Sequence, residues 1–258
     1  MSSHGAAQDG GMGDSGTRPA GSIHLIGGGR DAVRLAPLYA AFVEDAAERK
    51  TDAGARPRVH LLLVREPGDE EITDRFASPL RSAGADVVVR VVDEGEAFAA
   101  DALDGADGIA VGGGLTPAYR DACAALAASV RSLVESGVPY LGFSAGSAIA
   151  AGRALLGGYR LDGVEVGDEG ASEELDELTV AEGIGLVPFA VDVHAAQWGT
   201  LSRLVAAVDA DVVPEGYAID EHTALVVRGE QVEVAGSGAA WHVTRGVTVR
   251  RVRPRSAR

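Results

Sequence analysis

The pentapeptide Gly142-Phe143-Ser144-Ala145-Gly146 places one hydroxyl directly after the apolar run Pro139–Phe143. A G-x-S-x-G between a buried strand and a helix makes a sharp turn that lifts the serine side chain above the sheet. Its small flanking residues permit that geometry. The helix expected from Ser147 onward would turn free N–H groups and its positive end toward an oxyanion. Serine at such a junction also serves as a plain helix cap, so hydrolytic chemistry needs a base as well. Of six histidines, His4 lies near the start of the chain, and His24 and His60 fall inside apolar runs. His242 sits in a late strand region, and His222 reads as a turn residue. His194 follows the buried run Val187–Val193 at a strand end, which makes it the candidate base. Two more glycine clusters, Gly27-Gly28-Gly29 and Gly112-Gly113-Gly114, end other apolar runs. In an open parallel sheet the carboxyl ends of the strands form the ligand crevice, so three such ends can share one site. Gly27–Gly29 is no dinucleotide or phosphate loop: Ala32 stands where a third glycine belongs, and no lysine follows.

The elements that must position these residues follow from periodicity. Short β-branched runs (Ser22–Ile26, Val59–Val64, Asp86–Val92, Gly108–Val111, Pro139–Phe143) alternate with longer Ala/Leu/Arg/Glu stretches (Asp31–Glu48, Glu70–Ala83, Glu94–Leu103, Pro117–Ser136). Continuous apolar strands alternating with helices predict a doubly wound, mostly parallel sheet with helices on both faces. A further strand is expected at Val187–Val193 and a helix from about Gln197 to Val208. Short strands at Gly216–Ile219, Ala224–Val227, Val232–Val234 and Trp241–Thr244 predict a C-terminal antiparallel extension. The Gly/Ser/Asp-rich stretch 1–21 reads as a disordered leader, 22–250 as a single α/β domain and 251–258 as a basic tail.

Composition narrows the function classes. The chain has 258 residues, 46% of them hydrophobic and 24% charged, as in an ordinary globular protein. Its net charge of −15 repels nucleic acid and anionic membranes. One cysteine rules out a disulfide framework and any multi-cysteine metal site. No run reaches the roughly 18 apolar residues of a membrane span. A soluble cytoplasmic domain is expected, without metal or cofactor, acting on a small peptide and admitting a homodimer.

Taken together, the motifs resemble the peptidase E and cyanophycinase family of serine peptidases. The match runs from Gly112-Gly113-Gly114 through Gly142–Ser147 and Gly183-Ile184-Gly185-Leu186-Val187-Pro188 to Asp192-x-His194. It continues through Gln197-x-Gly199-x-Leu201-x-Arg203-Leu204 to Ala218-Ile219-Asp220-Glu221-x-Thr223-Ala224-Leu225. The resemblance implies a class I glutamine amidotransferase-like fold with Ser144 as nucleophile and His194 as general base. It implies an oxyanion hole from the N–H groups of Gly114 and Ala145. An acidic residue some 15 to 18 positions after the serine would orient the base. Asp162, eighteen positions on, fits that spacing, with Glu165 and Asp168 as competitors in the same acidic loop.

The substrate-reading positions depart from the family pattern. Val193 stands where cyanophycinases carry Gln, and Trp198 and Thr200 stand where they carry Arg; Val208 stands where peptidase E carries Arg. Only Arg203 remains of the arginines, and neither Trp nor Thr can hold a carboxylate bidentately. Gly113, Trp198 and Arg203 are the candidate substrate contacts. The expected activity is hydrolysis of a short peptide or isopeptide bond, Asp-Xaa or β-aspartyl-like, by a dipeptidase or cyanophycinase-like enzyme. The competing class is a catalytically silent, amidotransferase-like binding or scaffold protein. An esterase sharing the elbow is disfavoured, because only 50 positions separate Ser144 from His194 and no HGGG-like loop precedes the elbow.

Overall fold

The computed structural model describes residues 20–49, 54–246 and 248–254. Most of the expected leader, and the last four residues of the expected tail, lie outside them. Five strands build the centre: β1 (Ile23–Ile26), β2 (Arg58–Arg65), β3 (Asp86–Asp93), β4 (Gly108–Val111) and β5 (Tyr140–Phe143). They run parallel in the order β1-β5-β4-β2-β3. Successive residues serve opposite faces. Leu61 and Leu63 pack with α1 (Ala32–Ala47) and α2 (Ile72–Ser82). Leu62 and Val64 pack with α3 (Thr116–Cys123) and α4 (Ala127–Glu135). The mixed α/β architecture with a mainly parallel sheet agrees with the periodicity.

Past β5 the chain makes one helical turn, α5 (Ala145–Ala148), and leaves the sheet. β6 (Arg153–Gly157) pairs with β9 (Thr179–Glu182), and between them β7 (Arg160–Leu161) and β8 (Val164–Glu165) form a small hairpin. β10 (Ala190–Val193) leads through α6 (Ala195–Trp198) and α7 (Leu201–Asp209) to the parallel strand β11 (Glu215–Ile219). β12 (Thr223–Arg228) and β13 (Gln231–Gly236) return to the first sheet and extend it antiparallel beyond β1. β14 (Ala240–Thr244) and β15 (Thr248–Val252) complete a second sheet in the order β10-β11-β14-β15. Leu204, Ala207 and Val208 of α7 close the core beneath it, with Ala190, Ala218 and Val243.

Four local expectations are corrected. Glu94–Leu103 is turn rather than helix. Gly95 takes a positive φ of 87°, and Phe98, Ala102 and Leu103 are pulled into the core, Phe98 donating its N–H to the Ala122 carbonyl. Pro117–Ser136 is two helices parted by a tight turn at Ala124–Leu126. The helix after the elbow is one turn long. The antiparallel extension divides between the two sheets, and β15 runs on into the stretch expected as a basic tail, with the exposed Arg251 over the Trp241 ring. Among the described residues no helix is long and apolar enough to cross a membrane.

Candidate active site

Ser144 directly follows β5, with φ 51° and ψ −110°, a backbone conformation non-glycine residues rarely adopt. Such strain, of order 1–3 kcal/mol, persists only where the surroundings impose it. Here they do. The Ser144 N–H donates to the Ile26 carbonyl, and Ser147 Oγ donates to the carbonyls of Ile26 and Gly142. A side chain on Gly142 would run into the Gly146 carbonyl, and one on Gly146 into that of Val111. The two glycines are therefore steric requirements of the turn.

The candidate base comes from the second sheet. His194 directly follows β10 in the left-handed conformation (φ 54°, ψ 36°), and its N–H donates to the Gly27 carbonyl. That bond ties the end of β10 to the end of β1. Ser144 Oγ and His194 Nε2 are 2.9 Å apart, both side chains buried. His194 Nδ1 lies 2.8 Å from Glu221 Oε1. Val193 and Ile219 are register partners of β10 and β11, so the residues leaving these strands emerge side by side. The Glu221 N–H donates to Gln197 Oε1 of α6. Asp220, buried beside it, accepts from the N–H groups of Ala196 and Ala239 and from Trp241 Nε1. Burial holds the His194 imidazolium below the ordinary histidine range, and the Glu221 carboxylate pulls it back up. The balance favours the neutral imidazole, the form that can accept a proton from Ser144.

Two glycine loops frame the pair. Gly113 lies against Ser144, since a Cβ there would come within 2.9 Å of the serine Cβ. The chain then turns into α3, whose first N–H groups are claimed by carboxylates: Leu115 donates to Glu66 and Thr116 to Glu173. Among the described residues, the N–H groups of Gly114 and Ala145 donate no hydrogen bond. On the other side, Gly28 touches the His194 ring and Gly29 the His222 ring. No group of three or more His, Cys, Asp or Glu among the described residues is gathered to hold a metal ion.

Two expected site residues stand elsewhere. Asp162 sits exposed in the turn between β7 and β8, and the His194 nitrogen it was expected to orient is taken by Glu221. Of its competitors, Glu165 pairs with Arg160 and Asp168 accepts from the Gly170 N–H. Arg203 is 5% exposed, bonded through two nitrogens to both oxygens of Asp192 and through a third to the carbonyls of Gly158 and Ala171. That removes it from the substrate contacts. Trp198 stacks on His194 at 3.8 Å between ring centres. Glu221 was missed because its acid was sought by spacing from the serine. The residue directly after the expected strand Gly216–Ile219 is Asp220, and Glu221 comes beside His194 through the parallel pairing of β10 with β11.

The fold is shared with solved peptidases at low identity. A peptidase from an acI-B1 Actinobacterium is 18% identical with a TM-score of 0.64, over 92% of this chain and 96% of that one. A candidate peptidase E protein from Listeria monocytogenes EGD-e is 18% identical with a TM-score of 0.57, over 85% of this chain and 100% of that one. No curated protein matches the sequence. The profile of peptidase family S51 matches residues 65–235, a span that takes in the elbow, the His194 turn and Glu221. The chain belongs to peptidase family S51 and is a serine peptidase.

Proposed function

We propose that Ser144, His194 and Glu221 form a catalytic triad that hydrolyses short peptide or isopeptide bonds through an acyl-enzyme. The observation that carries this reading is the unbroken chain from Ser144 Oγ to His194 Nε2 and from His194 Nδ1 to Glu221. In the first half-reaction His194 Nε2 takes the hydroxyl proton as Oγ attacks the substrate carbonyl carbon. The N–H groups of Gly114 and Ala145 receive the oxyanion, and the imidazolium, held by Glu221, passes its proton to the departing amine. A serine ester remains. Water then gives a proton to His194 as it attacks the ester carbonyl, and the imidazolium returns that proton to Oγ as the acid departs, leaving free Ser144 and neutral His194.

One feature favours a small acidic substrate, Asp-Xaa or β-aspartyl-like. The exposed Arg30 follows the two glycines seated against His194 and His222, and it pairs with no carboxylate among the described residues. Its charge reaches His194, so it can read a substrate carboxylate in place of the committed Arg203.

The test is a dipeptide library containing Asp-Xaa and β-Asp-Xaa members, read by mass spectrometry with wild type and Ser144→Ala. Wild type is expected to release free amino acids from acidic members. Ser144→Ala is expected to lose about 10⁴-fold or more in kcat while its far-UV spectrum stays unchanged. Equal turnover by the two proteins would end the assignment of Ser144.

A further inference from the structure

We propose that Trp198 is a positioning residue that clamps the His194 imidazole by stacking on it, a role that rests on the triad reading above. The two ring planes lie 5° from parallel with centres 3.8 Å apart. Gly28 is seated against the Cε1 end of the imidazole, where an added Cβ would lie 2.1 Å from His194 Cε1. Ser144 and Glu221 hold the two ring nitrogens. The base is thus held at both ring nitrogens by hydrogen bonds, on one face by the indole and at Cε1 by Gly28.

The local chain explains why the stack forms. The N–H of Trp198 donates to the His194 carbonyl, so the two residues are one helical turn apart and their side chains lie above each other. Gly199 ends that turn in the left-handed conformation, and Thr200 Oγ donates to the Val193 carbonyl, closing the segment on itself. Trp198 is 44% exposed, so burial in the core does not account for where its indole lies. Its indole shields the imidazole from water on one face. When His194 takes the serine proton, the electron-rich ring face lies against the new cation. Trp198 therefore acts on a charge that exists only after proton transfer, which is a contribution to kcat.

The stack can be read without turnover. An imidazolium in contact with indole quenches its fluorescence, so protonation of His194 should dim Trp198. The other tryptophan, Trp241, is removed by subtracting the emission of Trp198→Phe from that of wild type. The difference is expected to show a single pH step coinciding with the acid limb of kcat/KM, and His194→Ala is expected to abolish it. In kinetics with an acidic dipeptide, Trp198→Ala is expected to lower kcat about 10-fold with KM within about 2-fold, and Trp198→Phe to recover most of it. A difference emission flat with pH overturns the stack. A Trp198→Ala effect confined to KM makes Trp198 a substrate surface instead. Loss of turnover in wild type alongside an intact fluorescence step would fault the peptidase substrate, not the clamp.

Discussion

The two halves of the proposed triad are held by different physics. The Ser144 half stands on the parallel first sheet and is fixed by backbone sterics over a few residues: Gly142, Gly146 and a strained φ,ψ enforced by hydrogen bonds to Ile26. The His194 half stands on the second sheet and depends on register between β10 and β11, on the Asp220 hydrogen bonds and on the buried Arg203–Asp192 pair. The halves meet where the Gly27 and Gly28 carbonyls accept from the N–H groups of His194 and His222, and where the Gly27 N–H donates to the Thr223 carbonyl. A nucleophile set by short-range sterics tolerates little substitution nearby. A base set by long-range pairing can be weakened from several places.

The largest expected effect outside the serine itself is at Glu221. Glu221→Gln keeps the shape and removes the charge that favours the His194 imidazolium. It is expected to lower kcat by about 10²- to 10⁴-fold, while Asp162→Asn leaves steady-state rates within about 2-fold of wild type. A damaging Asp162→Asn beside a silent Glu221→Gln would return the acid to the β7–β8 hairpin and dissolve the comparison.

The same contrast governs what the sequence discloses. The elbow is legible because one pentapeptide carries both the nucleophile and the glycines its geometry requires. His194 is legible as a polar residue at the end of an apolar run. Glu221 is not, because its contact with His194 arises from the pairing of β10 with β11, and nothing local in Asp220-Glu221-His222 announces that partner. Arg203 misleads for a related reason. An arginine near the site suggests a carboxylate, and it does hold one, but the carboxylate is Asp192 of the same chain. The alternating pattern identified every strand of the central parallel sheet. It failed at Glu94–Leu103, where tertiary packing of Phe98 and Leu103 overrides helix propensity. The division of the late strands between two sheets is likewise a matter of pairing that periodicity cannot express.

Arg203→Met sharpens the comparison at the level of stability. It leaves the Asp192 carboxylate buried and uncompensated, which is expected to cost about 3–5 kcal/mol of unfolding free energy in denaturant titration. KM for acidic dipeptides measured below the new midpoint should stay within about 2-fold, since the guanidinium faces the protein interior. Arg30→Gln should do the reverse, raising KM and leaving stability unchanged. A stable Arg203→Met with a sharply raised KM would show the guanidinium reaching substrate.

The smallest expected effect is a shift in the pH profile, and its sign separates burial from charge at His194. The base must be neutral to accept the serine proton, so kcat/KM falls as pH drops through the pKa of His194 in the free enzyme. Burial, the largest influence, opposes the charged form and places that acid limb below the ordinary histidine value of about 6.5. Glu221 and Asp192 act upward on it and Arg30 downward. Neutralising Glu221 as Gln should therefore move the residual activity's acid limb to lower pH, whereas Arg30→Gln should move it to higher pH. Both profiles are measurable with one acidic dipeptide from pH 4.5 to 8 at constant ionic strength, because salt screens the Arg30 effect far more than the buried Glu221 contact. An acid limb moving upward in Glu221→Gln would mean that the carboxylate does not favour the imidazolium, and the second sheet would then position the base by geometry alone.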